Sequence, residues 1–172
     1  MPTKKKNNNT VRKIPPVTIE NARLIYRNFG GVAKQFNAKG LRNFNVVLDI
    51  EIAKVLEQDG WNVKWDEPKE DGDPPRARIK VAVRFDNYPP RIVLITKGGG
   101  KTVLDESSVD VLDWAEIQTA DIVLTASPWD VQGKQGLKAY LRKGFFTLSE
   151  DDLESKYSNS ASSKHHADSD ED

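Results

Sequence analysis

The stretch RARIKVAVRF, residues 76–85, decides the fold. Ala77, Ile79, Val81, Val83 and Phe85 share one parity, and Arg76, Arg78, Lys80, Ala82 and Arg84 the other. Successive side chains of a strand point to opposite faces, so the alternation predicts one apolar face on a core and one cationic face outside. Same-face side chains stand about 7 Å apart. Arg76, Arg78 and Lys80, with Arg84 two steps further on, therefore form a row that no acid of the stretch interrupts. Such a row is either a solvated face paired with acids from elsewhere or a track for phosphates, whose neutralisation releases counterions.

Working outward, the same period recurs. Val17 to Arg27 reads as a first strand, and Arg42 to Asp49 as a second, with Phe44, Val46 and Leu48 on one face. Asp49 can cap a short helix that turns Ile52, Val55 and Leu56 to one side, and Gly60 suits its C′ position. Trp61 to Trp65 alternates, and its two tryptophans share a face, which places at least one in the core. Residues 66–75 form an acidic Pro/Gly loop, and Asp86 to Pro90 a turn. Arg91 to Thr96 is a strand that Gly98-Gly99-Gly100 breaks. Ser107 to Trp114 reads as a short helix, 120–131 and 136–148 as strands joined by residues 132–135, and 148–157 as a further helical turn. Trp114 and Trp129 are assigned to the core, as large apolar groups usually are. About seven strands with two or three short helices predict a mainly β chain, a small antiparallel barrel or sandwich rather than βαβ units. Barrel closure would remove exposed strand edges.

Composition narrows the function. The 172 residues include no cysteine, which excludes disulfide staples, thiolate metal sites and a cysteine nucleophile. No apolar run approaches the roughly 20 residues of a membrane span. MPTKKKNNNT carries no apolar segment after its lysines and does not read as a secretory signal. The net charge is zero, but it is unevenly spread: residues 1–43 carry +9, 44–148 carry −3 and 149–172 carry −6. A basic start with an acidic end suits a nucleic-acid binder with an acidic tail, or an ordinary domain between solubilising ends. Residues 1–13 read as a disordered basic arm, 14–148 as the folded unit and 149–172 as a disordered acidic tail, because the flanks hold too little apolar surface to offset ordering entropy.

Two further basic groups stand beside the strand row. Lys134, Lys138, Arg142 and Lys143 are interleaved with Tyr140, and Lys138, Tyr140 and Arg142 share a face if their segment is a strand. A tyrosine between cations suits base stacking with phosphate contacts alongside, or packing under a neighbouring segment. Residues 27–42 hold Arg27, Lys34, Lys39 and Arg42 with Phe29 and Phe36 among three glycines and no acid. That loop can close on a strand of bases, and its phenylalanines are candidates for stacking or for the core. Trp65 and Tyr88 are further stacking candidates. Asp168, Asp170, Glu171 and Asp172 can imitate a nucleic-acid backbone and compete within the chain for a basic groove, or recruit basic partners.

Catalytic patterns are absent or incomplete. Gly100-Lys101-Thr102 ends like a P-loop, but the required glycine at position 95 is Ile95. The only histidines, His165 and His166, lie in the tail. Asp105, Glu106 and Asp110 could ligate Mg2+, yet capping and solvation account for them, so no metal site or cofactor is assigned.

Four stretches carry a family resemblance: IENARLIYRNFGG (19–31) with RNFNVVLD (42–49), DGWNVKW (59–65), RIKVAVRFDNYPPRIVLI (78–95) and ASPWDVQGKQGLKAYLRKGFFTL (126–148). The chain resembles bacteriophage single-stranded-DNA-binding proteins of the OB-fold group, most distinctively in GKQGLKAYL at 133–141. The resemblance implies an OB-fold-like barrel of five strands with extra elements. It also implies sequence-tolerant binding of single-stranded DNA in replication or recombination, in the host cytoplasm, without catalysis. A tail contacting replication or recombination proteins is implied as well, although this one ends in Asp172 rather than an apolar residue. Other classes compatible with the residues are a phage structural or adaptor protein, and a Mg2+-dependent nuclease. RNA binding and an oligomeric state are compatible with the sequence too.

Overall fold

The computed structural model describes residues 14–149 except 87 and 97. The basic arm at 1–13, the helical turn expected after Ser149 and the tail residues Asp168, Asp170, Glu171 and Asp172 lie outside the described residues.

The described chain is mainly β. Its strands are β1 (Val17–Ile19), β2 (Arg23–Asn28), β3 (Arg42–Leu48), β4 (Val63–Asp66), β5 (Arg76–Val83), β6 (Arg91–Ile95), β7 (Lys101–Leu104), β8 (Ile117–Val131) and β9 (Lys134–Leu148). One α-helix, α1 (Ile50–Gln58), and one 3-10 helix (Val109–Asp113) accompany them. The strand order is β1-β8-β9-β5-β3-β2, with β4 on β5 and the β6–β7 pair on β9. The ladder is open, so the closed barrel expected from the strand count is not what the hydrogen bonds record. Its two end strands are nonetheless adjacent in sequence. The single strand expected at 17–27 breaks at Asn21 (φ 53°), so that β1 pairs with β8 and β2 with β3. The Ala22 amide at the break donates to the Ala120 carbonyl at 2.6 Å.

Strand β5 follows its sequence pattern. Ala77, Ile79, Val81 and Val83 are buried, while Arg76 and Lys80 are exposed. It pairs antiparallel with β3 along its length, and on its other edge with β4 and, in parallel, with β9. The core beneath it includes Phe44, Val46, Trp61, Ile122, Leu124 and Phe146.

Two helix expectations change. Ala53 and Leu56 are the buried residues of α1, whereas Ile52 and Val55 face solvent. Asp49 occupies the N-cap position but makes no side-chain cap bond. The other end is as read: Gly60 at φ 101° lets its own amide reach the Glu57 carbonyl and the Trp61 amide reach Leu56, a Schellman ending. Strand β7 escaped the sequence reading because it is four residues long and follows the glycine run. The β8–β9 connection is tighter than expected, with only Gln132 and Gly133, both at positive φ, between paired Val131 and Lys134.

Candidate nucleic-acid interface

Ala82 pairs with Tyr140, Thr125 with Tyr140, Ser127 with Lys138 and Trp129 with Gly136. Paired residues share a face. Lys80 and Ala82 of β5, Lys138 and Tyr140 of β9 and Trp129 of β8 therefore stand on the outer side of one curved surface. They line a trough of about 710 Å3 that also receives Arg42, Arg84, Phe85 and the loop residues Gly40 and Leu41. A smaller hollow of about 250 Å3 shares Arg84 and Tyr140 with it and adds Tyr88 and Arg142. Residues far apart in sequence thus meet in two adjoining hollows.

Local chemistry sets each group. The Lys138 ammonium lies 5.3 Å from the Tyr140 ring centroid. Arg84 forms a two-pronged pair with Asp86, at 2.7 and 3.1 Å. That carboxylate, and then the Tyr140 hydroxyl, raises the Arg84 pKa above its ordinary value, and the arginine in turn holds Asp86 below the usual carboxylate range. Arg42 is half-buried: it donates to the Phe29 carbonyl at 2.7 Å, lies 5.5 Å from the Phe85 ring centroid and pairs with Glu106 at 3.5 Å. It braces the wall of the trough as much as it charges it.

The row on β5 divides. Lys80 and, one residue past the end of β5, Arg84 line the trough, whereas Arg76 and Arg78 line a separate hollow with Tyr26 and Asp66. The acid-free face of the sequence acquires an acid from the next strand: Asp66 of β4 bonds Arg78 at 2.8 and 3.4 Å, and Asn45 of β3 accepts from it at 2.7 Å.

Other candidates take different places. Phe29 is fully buried, stacked on Phe44 at 4.8 Å and edge-on to Phe146 at 6.0 Å, so it is a core residue and not a surface platform. Arg27 is committed to structure, donating to the Leu112 and Ala115 carbonyls at 2.9 and 2.8 Å and so anchoring the 3-10 helix. That helix returns the contact through Asp113, which accepts from the amides of Phe29 and Gly30. From Val32 to Phe36 the loop is exposed, with Phe36 88% exposed at the tip, and Lys34 and Lys39 face solvent. Asn28 and Asn37 brace the loop's base by bonding the Val32 carbonyl. Trp65 is half-buried against the core, and its indole donates to Glu57. Lys134 sits beside the hairpin turn. A bulge between the Val123–Lys143 and Leu124–Leu141 pairs leaves Arg142 unpaired, so Arg142 and Lys143 are both exposed instead of alternating.

Trp129 and Phe85 were missed as trough residues, and Trp114, assigned to the core, is 62% exposed. Trp129 was legible, because buried Ala120, Ile122 and Leu124 share one parity of β8 and Trp129 has the other. Its ring covers Gly136 so closely that a Cβ there would lie 2.7 Å from it. Two of the three carboxylates weighed for Mg2+ are otherwise engaged: Asp105 accepts from Ser107 and Ser108, which lowers its pKa, and Glu106 faces Arg42. No cluster of three or more metal-ligating side chains occurs among the described residues, nor any helix long and apolar enough to cross a membrane.

Residues 7–170 match the phage ssDNA-binding domain family. The chain belongs to that family. Among solved structures, the single-stranded DNA-binding protein from bacteriophage Enc34 in complex with ssDNA aligns at TM-score 0.51 and 8% identity, over 78% of this chain and 86% of that one. The Enc34 protein in a separate structure aligns at TM-score 0.51 and 7% identity, over 78% and 81%. The fold of this phage ssDNA-binding domain is therefore shared with the Enc34 protein despite very low identity. No curated protein matches it by sequence.

Proposed function

We propose that the trough and the smaller hollow beside it hold single-stranded DNA without regard to sequence, with Lys80, Arg84 and Lys138 of the trough and Arg142 of the hollow on phosphates and Tyr140 and Trp129 stacking on bases. The observation that carries this is the convergence of cations and aromatic rings from β3, β5, β8 and β9 on two hollows that share Arg84 and Tyr140. Stacking is sequence-tolerant because every base has a π-face. Residues 14–148 form the binding unit, and we read its sheet, whose end strands β1 and β2 are consecutive in the chain, as an OB-type barrel left open in its hydrogen bonding. The protein acts by binding rather than catalysis, protecting strands exposed in phage replication or recombination in the host cytoplasm. Its acidic tail competes for the trough or recruits replication proteins.

Tryptophan fluorescence titrated with oligo-dT at several salt concentrations tests the reading. Saturable quenching through Trp129 is expected, with affinity falling steeply with salt and similar values for mixed sequences. A chain ending at residue 163 is expected to bind more tightly at low salt. Flat fluorescence with no gel shift at low salt overturns the assignment.

Asp86 competes with phosphate for Arg84. Asp86→Asn is expected to tighten binding about two- to fivefold at low salt, the range of an exposed pair. The Asp86 pKa is depressed, so the pair persists above the unfolded carboxylate pKa and is lost only as pH falls through the lowered folded value. The difference between variant and wild type should therefore stay constant from about pH 7 to 5. Equal affinities in a direct titration would show that Asp86 does not restrain Arg84.

A further inference from the structure

Tyr26 is a large aromatic that the core does not use. It is 66% exposed and sits at φ 52°, costly for a bulky side chain, in the bulge where β2 loses register with β3 between Ile25 and Asn28. Its ring centroid lies 5.4 Å from the Arg78 guanidinium carbon. Arg78 is itself fixed by Asp66 and Asn45, so one ring face rests on an immobilised cation. A hollow of about 150 Å3 opens beside it, with Arg76 and Lys69 in its lining.

This cluster borders the trough. Asn45, which holds Arg78, pairs across β3–β5 with Lys80, and Lys80 lines the trough. From Lys80 to Arg76 the strand advances about 13 Å, room for roughly two more nucleotides. We infer that Tyr26 and Arg76 form a second single-stranded-DNA subsite, in which one base stacks on the open face of Tyr26 and Arg76 meets a phosphate. Lys80 carries the strand between subsite and trough. The inference rests on the trough reading and sets the path by which DNA leaves it.

Tyr26→Gly tests it. Glycine removes the ring and also relieves the left-handed backbone, so the variant keeps its fold. Wild type, Tyr26→Gly and Tyr26→Trp are titrated with oligo-dT of increasing length, and thermal unfolding is followed in parallel. The expected result is equal binding of the shortest oligonucleotide that binds at all. For oligonucleotides a few nucleotides longer, Tyr26→Gly is expected to lose on the order of tenfold, and Tyr26→Trp to retain affinity. Equal affinity of Tyr26→Gly and wild type at every length overturns the subsite while leaving the trough standing. A uniform loss at every length, or with lowered thermal stability, also overturns it, because the ring would then be acting on the fold. If wild type binds no oligonucleotide, subsite and trough reading fall together.

Discussion

Replacing Lys80, Arg84 and Lys138 together by alanine is expected to weaken oligo-dT binding about a hundredfold at 0.1 M salt. The figure follows from counterion release. Each phosphate neutralised on a single strand frees about 0.7 of a counterion, so three lost contacts reduce the slope of log affinity against log salt by about two. At 0.1 M salt each contact is then worth roughly a factor of five. All three residues line the trough and are exposed, so their removal leaves the core intact. The matched control is Lys54→Ala, Lys64→Ala and Lys101→Ala, three exposed lysines on α1, β4 and β7 that do not line the trough. It removes the same charge and is expected to change the slope far less. Affinity measured over a range of salt separates the cases. If both triple variants lose affinity alike, binding follows net charge and the trough has no special part in it.

The contrast between those sets shows what a strand's own sequence can state. Alternation in β5 was legible because facing is a property of one segment: Ala77, Ile79, Val81 and Val83 turned inward as their parity required. The company that face keeps was not legible. Asp66 reaches Arg78 because β4 pairs with β5, a register set by residues outside the stretch. The same limit governs the trough, whose walls come from residues as distant as Arg42 and Tyr140. The break at Asn21 and the bulge that leaves Arg142 unpaired carry no glycine to announce them. The family-like stretches did point to a mainly β nucleic-acid binder, because the short segments around Arg78 and Tyr140 hold the cations and ring together.

Phe29 and Phe36 looked alike in sequence, two phenylalanines in one basic glycine-rich segment, and the structure separates them completely. Phe29→Ala is expected to cost about 3–5 kcal/mol of stability, the range for deleting a buried aromatic ring. The ring has no solvent exposure and loses both Phe44 and Phe146. Typical domains hold only about 5–15 kcal/mol, so such a loss leaves a marginal fold. Phe36→Ala, at a site 88% exposed, is expected to change stability by less than about 0.5 kcal/mol. Urea unfolding measures both, and the midpoint of Phe29→Ala should fall with little change in slope. DNA affinity per folded molecule completes the test. Phe29 reaches the trough only through its backbone carbonyl, which holds Arg42 and survives the substitution. Folded Phe29→Ala should therefore bind nearly as wild type does. A variant that kept its stability but lost DNA affinity would return Phe29 to the surface and remove the ring cluster on which β2, β3 and β9 are packed.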